Sequence, residues 1–195
     1  MTLQDFINKY DYLGSIVLLE GKRHVAEADK EKLKKLGKLL ASSTKYISFR
    51  SGNADGADFH FVSGVAEIDK DKVSVIVPYT KHRNKFNYAG TTINLEEINL
   101  KSELKLVNES KINKKMSKLI EMYVEGDINK NSINAAYILR DTAKVLGTSE
   151  FPPASFGIFY DDLSNPMKGG TGHTMKVCVN NNVPFVNQAT WFDWL

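Results

Sequence analysis

The chain has a single cysteine, Cys178, among its 195 residues, so no disulfide can form within it. That fits a protein kept in a reducing compartment and excludes a small secreted scaffold held by cross-links. No apolar run approaches the ~20 residues that a membrane-spanning helix requires. The opening residues MTLQDFINKYDY lack the basic-then-apolar shape of a secretory signal. A soluble, cytoplasmic protein with no membrane partner is the expectation. Charge of one sign is also scarce: 26 Lys and Arg against 23 Asp and Glu leave a formal net charge of +3. So mild a balance gives no bulk attraction for a polyanion, which counts against nucleic acid as the partner. Four histidines and one cysteine without paired spacing offer no zinc set, and neither a metal nor a cofactor is expected.

What is present is alternation. Hydrophobic residues make up 42% of the chain, enough for one well-buried domain at this length and too few for two. Leu3, Phe6, Ile7 and Tyr10 share the spacing of a short amphipathic helix. Ser15 to Leu19 (SIVLL), Tyr46 to Phe49, Val73 to Val77 (VSVIV), Phe156 to Tyr160 and Val183 to Val186 are short apolar runs. Runs of that kind read as strands buried on both faces. Between them, Ala26 to Ala41 sets Leu33, Leu36, Leu39 and Leu40 on one stripe opposite lysines, as in a helix packed on a sheet. Asp55 to Ile68, Ser132 to Leu146 and Met175 to Asn181 follow as further helices, and Phe151-Pro152-Pro153 is a connector. The stretch from Tyr79 to about Lys130 breaks the rhythm. It is rich in Lys, Asn and Glu, with one amphipathic stretch around Lys114 to Val124, and reads as an insertion or cap over the sheet at about 80–130. Strands alternating with helices make an α/β fold: a doubly wound, mainly parallel sheet with helices on both faces.

Two glycine-rich runs stand at strand-to-helix junctions. Ser51 to Asp58 reads SGNADGAD, and Lys168 to Thr174 reads KGGTGHT. Glycines that admit close backbone approach, hydroxyls on Thr171 and Thr174, and a helix N-terminus together suit a phosphate. A basic turn, Gly21-Lys22-Arg23, follows the first strand and suits phosphate neutralisation. All three segments follow strands and therefore converge on the edge where open α/β sheets bind ligands. The candidate ligand-binding residues are Gly21, Lys22, Arg23, Ser51, Gly52, Asn53, Gly56, Asp58, Arg140, Asp161, Gly169, Gly170, Thr171, Gly172, His173 and Thr174. Plainer roles stand beside these: turns and caps for the glycines, a helix cap for Asp58, solvated charges for Lys22 and Arg23, and an ion pair with Asp141 or Glu150 for Arg140. The closing WFDWL (Trp191 to Leu195) docks in the core or forms a subunit interface.

The order of these motifs resembles the SLOG superfamily, Rossmann-like proteins related to lonely-guy phosphoribohydrolases and DNA-processing protein A. Within it the YpsA-like branch is most similar, on Gly21-Lys22-Arg23, Ser51 to Asp58, Gly170-Thr171, His173-Thr174 and the pair Arg140-Asp141. The resemblance leaves out Thr80 to Lys130. It implies a single Rossmann-like domain over residues 1–195 that binds a nucleotide or nucleotide-derived small molecule. A homodimer or higher homo-oligomer is also implied. One departure matters: the lonely-guy hydrolases carry a glutamate where this chain has Lys176. A lysine cannot supply the carboxylate that assists cleavage of an N-glycosidic bond. Sensing or sequestering the ligand is therefore the first reading. An N-glycosidase or phosphoribohydrolase using another carboxylate is the alternative, and single-stranded DNA binding is the third. Asp161, Asp162, Asp55 and Asp58 are all available as that carboxylate; Asp161 and Arg140 are the candidates named for catalysis.

Overall fold

The computed structural model describes residues 1–112 and 114–195. The helix α1 (Leu3–Tyr10) leads into strand β1 (Ile16–Gly21), helix α2 (Glu27–Ser43), β2 (Ser48–Ser51), α3 (Ala57–Asp69) and β3 (Val73–Val77). An edge strand β4 (Thr91–Asn94) and helices α4 (Leu104–Ser110), α5 (Ser117–Glu125) and α6 (Ile133–Leu146) come next. The chain ends through β5 (Phe156–Tyr160), α7 (Gly169–Asn180), β6 (Phe185–Asn187) and α8 (Gln188–Trp191). The strands form one six-stranded sheet in the order β4-β3-β2-β1-β5-β6, every pairing parallel.

Alternate side chains of each strand face opposite layers, which is why the strands read as unbroken apolar runs. Val17 and Leu19 of β1, Val73, Val75 and Val77 of β3, and Phe156 and Ile158 of β5 join the core beneath α2 and α3. Leu18 and Phe159 face the other way, among Met175, Val177 and Cys178 of α7, while Ile76 meets α6. On the first face, α2 and α3 touch backbone to backbone. A Cβ on Gly37 would overlap the Phe61 carbonyl, and one on Gly64 would overlap the Lys34 carbonyl. Trp191 is fully buried on this face and donates its indole N–H to the Phe159 carbonyl at 2.9 Å. Trp194 donates to the Met1 carbonyl at 3.1 Å, so the aromatic C-terminus is a core element.

The stretch 80–130, expected as an insertion or cap, does more than cover the sheet. It supplies β4, which pairs in parallel with β3 from Ser74↔Thr91 to Val77↔Asn94. The strand went unread because it is only four residues, Thr-Thr-Ile-Asn, at an edge where Thr91 and Thr92 are exposed. Helices α4 and α5 then pack Leu106, Val107, Ile120 and Tyr123 against Ala135, Ala136, Leu139 and Ala143 of α6. Asn113, within that stretch, lies outside the described residues. A second correction concerns KGGTGHT. Helix α7 begins at Gly169 rather than near Met175, so most of the motif is the first turns of the helix and not a loop before it.

The contact between α2 and α3 can be tested directly. Gly64→Ala is expected to cost about 1–3 kcal/mol by overpacking, a fall of roughly 2–12 °C in melting temperature. Thermal unfolding followed by circular dichroism measures it. An unchanged melting temperature would mean the helices do not meet at their backbones.

Candidate functional site

In the order β4-β3-β2-β1-β5-β6 the succession of strands reverses between β1 and β5, and a cleft opens beyond their carboxyl ends. A cavity of about 450 Å³ lies there, lined among others by Glu20, Gly21, Arg23, Ala54, Asp58, Tyr137, Arg140, Asp141, Lys144, Gly170 and Thr171. A smaller hollow of about 220 Å³ shares Arg23, Ala54, Asp55, Tyr137 and Arg140 with it and adds His82 and Arg83. Residues from β1, the β2–α3 connection, α6 and the start of α7 thus meet at one place, the converging edge expected from the order of strands and loops.

The two glycine-rich motifs act differently. In SGNADGAD, the Asp58 carboxylate accepts from the backbone N–H of Gly21 (3.2 Å), Gly52 (3.1 Å) and Ala54 (3.4 Å). One buried side chain in the first turn of α3 therefore ties the ends of β1 and β2 together and satisfies amides that a phosphate would otherwise use. Gly56, at φ +82°, sits where a Cβ would overlap the Arg23 carbonyl, and the Ala57 N–H donates to the Lys22 carbonyl at 3.2 Å. The Ser51 hydroxyl donates to the Leu19 carbonyl (2.7 Å), and the Asn53 side chain donates to the His82 carbonyl (3.1 Å). The motif is a clamp on neighbouring backbone.

KGGTGHT opens toward the cavity. Gly170 and Thr171 line it, and both precede the first amide of α7 that bonds back along the helix, Gly172 N–H to the Lys168 carbonyl at 3.0 Å. Such first-turn amides carry the partial positive charge of a helix start. The entry turn is tight: Met167 has φ +57° and Gly169 φ +63°, and a Cβ on Gly172 would overlap the Met167 backbone. Behind the turn, the Asp161 carboxylate accepts from the Met167 N–H at 2.9 Å, and the Gln188 side chain bonds both the N–H and the carbonyl of Asp161. Thr174 donates to the Gly170 carbonyl at 3.2 Å. His173 meets the Thr142 hydroxyl at 2.9 Å, and burial holds its imidazole below the usual histidine range.

Beneath the cavity lies a buried ion network. Lys144 Nζ stands 2.7 Å from Glu20 Oε2 and 2.8 Å from Asp141 Oδ1, with side-chain exposures of 2%, 4% and 5%. Arg140 donates to Asp141 through Nε (3.1 Å) and Nη2 (2.8 Å), and to the Gly52 carbonyl through Nη1 (2.7 Å). Burial pushes the Glu20 carboxyl up to about 7; Lys144 opposes the shift, while Asp58 and Asp141 add to it. Asp141 goes the other way and is held low: Arg140 and Lys144 outweigh its desolvation. At the rim, burial and then the charges of Arg140, Arg83 and Arg23 drive His82 down to about 4, leaving a neutral imidazole at pH 7. Tyr137 presents an aromatic wall between Arg140, 5.6 Å from its ring, and His82, edge-on at 5.9 Å.

Of the candidate residues, Gly21, Arg23, Asp58, Arg140, Gly170 and Thr171 line the cavity. Gly52 lies against Arg140, and Ser51, Asn53 and Gly56 hold the clamp. Gly169 and His173 line an adjoining hollow of about 650 Å³ with Lys114, Lys115, Lys168 and Lys176. Lys22 is turned onto the Tyr160 ring, and Asp161, Gly172 and Thr174 are buried behind the turn. The sequence reading missed Glu20, Tyr137, Asp141 (as a cavity residue), Lys144, His82 and Arg83. Its available signal was a charge embedded in an apolar run, Glu20 after SIVLL and Lys144 before Val145-Leu146, since such a charge is costly to bury unless paired. Seven buried side-chain atoms lack a hydrogen-bond partner among the described residues. Three of them, Glu20 Oε1, His82 Nε2 and Arg83 Nε, belong to residues of this cleft.

Fold and cleft together define an all-parallel, doubly wound Rossmann-like protein with a charged site at its switch point. No protein-family model matches the chain, and no curated protein sequence matches it. Among solved structures it is similar to DNA processing protein A from Helicobacter pylori, described for its single-stranded DNA binding mode. The TM-score is 0.50 at 15% identity, covering 92% of this chain and 67% of that one. At that identity the likeness establishes a shared fold. Among the described residues no helix is long and apolar enough to cross a membrane.

The Glu20 shift has a sign that can be measured. Its folded value near 7 lies above the ordinary 4.5, so between those values the folded state holds more protons than the unfolded state. The stability this contributes is fully present below about 4.5 and is lost as pH rises through 7. From pH 5 to pH 8 the wild-type melting temperature is therefore expected to fall by several degrees relative to a Glu20→Gln variant. Parallel pH profiles would show Glu20 fully ionised throughout the folded state.

Proposed function

We propose that the chain binds a nucleotide or nucleotide-derived small molecule in the cleft beyond β1 and β5, and senses or sequesters it. The observation that carries this reading is the convergence on one cavity of the start of α7, at Gly170 and Thr171, with Arg23, Arg140 and the Tyr137 ring. The first-turn amides of Gly170 and Thr171, with Arg23 opposite, suit a phosphate. The Tyr137 ring suits a base. A volume of about 450 Å³ is within the range of small-molecule sites. The sequence resemblance to the SLOG superfamily supports the same ligand class.

Holding rather than cleaving is supported by Lys176, exposed on α7 beside the neighbouring hollow and absent from the cavity lining. One observation favours the alternative N-glycosidic hydrolysis: Glu20, unlike Asp161, is a carboxyl residue of the cavity lining. The single-stranded DNA binding described for the structural neighbour makes an oligonucleotide the natural competitor.

Thermal unfolding with the four ribonucleoside 5′-monophosphates, and separately with a single-stranded 12-mer, tests the reading. At least one mononucleotide is expected to raise the melting temperature. Arg23→Ala, an exposed position, should weaken that binding about tenfold or more, the loss of a charge-assisted hydrogen bond, while leaving the ligand-free melting temperature unchanged. No stabilisation by any mononucleotide would sink the proposal. Chromatographic release of free base would replace sensing by hydrolysis, and stabilisation by the 12-mer alone would replace both.

A further inference from the structure

We infer that the ligand carries more than one phosphate group, and that a second phosphate is held by Lys114, Lys115, Lys168 and Lys176 in the hollow beside the main cavity. This rests on the nucleotide-binding reading above and adds to it the phosphate content of the ligand.

The hollow measures about 650 Å³, and its lining contains four lysines and no carboxyl residue. Lys114 and Lys115 come from the short turn ahead of α5, Lys168 from the N-cap of α7, and Lys176 from further along that helix. All four are exposed. No ion pair among the described residues includes one of them. Two acids act on His173 of the lining, Asp141 and Glu109, and both are engaged elsewhere. Asp141 is held by Arg140 and Lys144, and Glu109 accepts from the Asn180 amide at 3.3 Å.

The main cavity differs in sign. There Arg23, Arg140 and Lys144 share the lining with Glu20, Asp55, Asp58 and Asp141, so charge is balanced within it. In the hollow the charge is all positive. A concave surface of one sign concentrates counter-ions and focuses its field on them. Lysines spaced over a convex surface do not do this. These four are brought into one hollow from parts of the chain far apart in sequence.

The hollow also joins the cleft. Tyr137, Ile138 and Gly170 line both, whereas the four lysines line only the hollow and Arg23 only the cleft. A phosphate at Gly170 therefore stands at the boundary between them. A nucleotide with one phosphate leaves the lysines without an anion. A further phosphate, whether consecutive with the first or on a second nucleotide, reaches them, and each ammonium meets its oxygens as a point charge.

Titration calorimetry in magnesium-free buffer tests this with the ribonucleoside 5′-mono-, di- and triphosphates of the four bases and the 5′-phosphorylated dinucleotides. For a base that binds, a compound with more than one phosphate is expected to bind roughly tenfold or more tightly than the monophosphate, the gain of charge-assisted contacts. A gain with the di- and triphosphates assigns consecutive phosphates; a gain with the dinucleotide alone assigns a phosphate on a second nucleotide. In Lys114→Ala/Lys115→Ala and in Lys168→Ala/Lys176→Ala the preference should narrow to within about threefold, with the ligand-free melting temperature unchanged. The control is Lys9→Ala/Lys45→Ala, two exposed lysines beside the amino end of β2, away from the cleft. It removes the same charge and should preserve the preference. Equal wild-type affinity for compounds with one and with several phosphates would overturn the inference. So would a preference that survives both hollow variants, or one that falls equally in the control. Failure of every compound to bind would refute the nucleotide-binding reading, and this inference with it.

Discussion

The ammonium group of Lys144 holds the two halves of this fold in register. It reaches from α6 to Glu20 at the end of β1 and to Asp141 one turn back on its own helix, all three side chains nearly fully buried. Taking such charges out of water is expensive, and removing one partner of a buried pair costs about 3–5 kcal/mol. With Glu20 fixed on β1, α6 cannot slide along the sheet without breaking the contact. Arg50 extends the constraint: from β2 it donates to the Lys144 carbonyl (3.0 Å) and the Pro152 carbonyl (2.9 Å), fixing the end of α6 and the connector to β5. Arg140 extends it in the other direction, to the carbonyl of Gly52. The position of the cleft is thus set by ion pairs and not by the apolar layers alone. An apolar substitute for the network could stabilise the fold as well, but it would leave the cavity without its polar floor.

The network also sorts charge across the cleft. Three carboxyl groups and two cations lie low, with Glu20 driven toward neutrality by burial first and by Asp58 and Asp141 after it, against the pull of Lys144. The rim carries Arg23, Arg83 with Asp55 paired to it at 3.3 Å, and a His82 kept uncharged by burial and then by its arginine neighbours. The polarity of the site follows from burial and neighbouring charge before any contact with a ligand is considered.

Most of the fold was legible in the sequence because it rests on short unbroken apolar runs for the strands and on helical patterning between them. Val73–Val77 and Phe156–Tyr160 agree with the strands to the residue, and α1 likewise. Edge strand β4 was not legible: Thr-Thr-Ile-Asn has one partner strand and one exposed side, so it carries little of the apolar signal that marks the interior strands. The candidate site was legible in its turns and in Arg23, Asp58 and Arg140, and illegible in Glu20, Tyr137 and Lys144. Glycine-rich turns after strands announce where a chain can approach a ligand. Glu20, Lys144 and Tyr137, which fill the cavity with chemistry, sit inside ordinary strand and helix patterns. Their convergence is a product of tertiary packing, since β1 and α6 are more than a hundred residues apart in the chain. What they did offer was a local contradiction, a charge in an apolar run, and that contradiction resolves only when the partner is known.

The two glycine-rich motifs show why such runs must be read with their acids. SGNADGAD and KGGTGHT share composition, flanking elements and a glycine at positive φ. In the first, Asp58 stands in the opening turn of α3 and its carboxylate collects three backbone amides, so the helix start is neutralised from within. In the second, no acid occupies the opening turn of α7. Two carboxylates stand close by: Asp161 accepts from the Met167 N–H ahead of the helix, and Asp141, beside Gly170, already answers to Arg140 and Lys144. The first motif therefore holds the sheet together, and the second leaves the partial positive charge of a helix start facing a cavity. Glycine content alone does not separate a clamp from a cradle. The placement of one aspartate does.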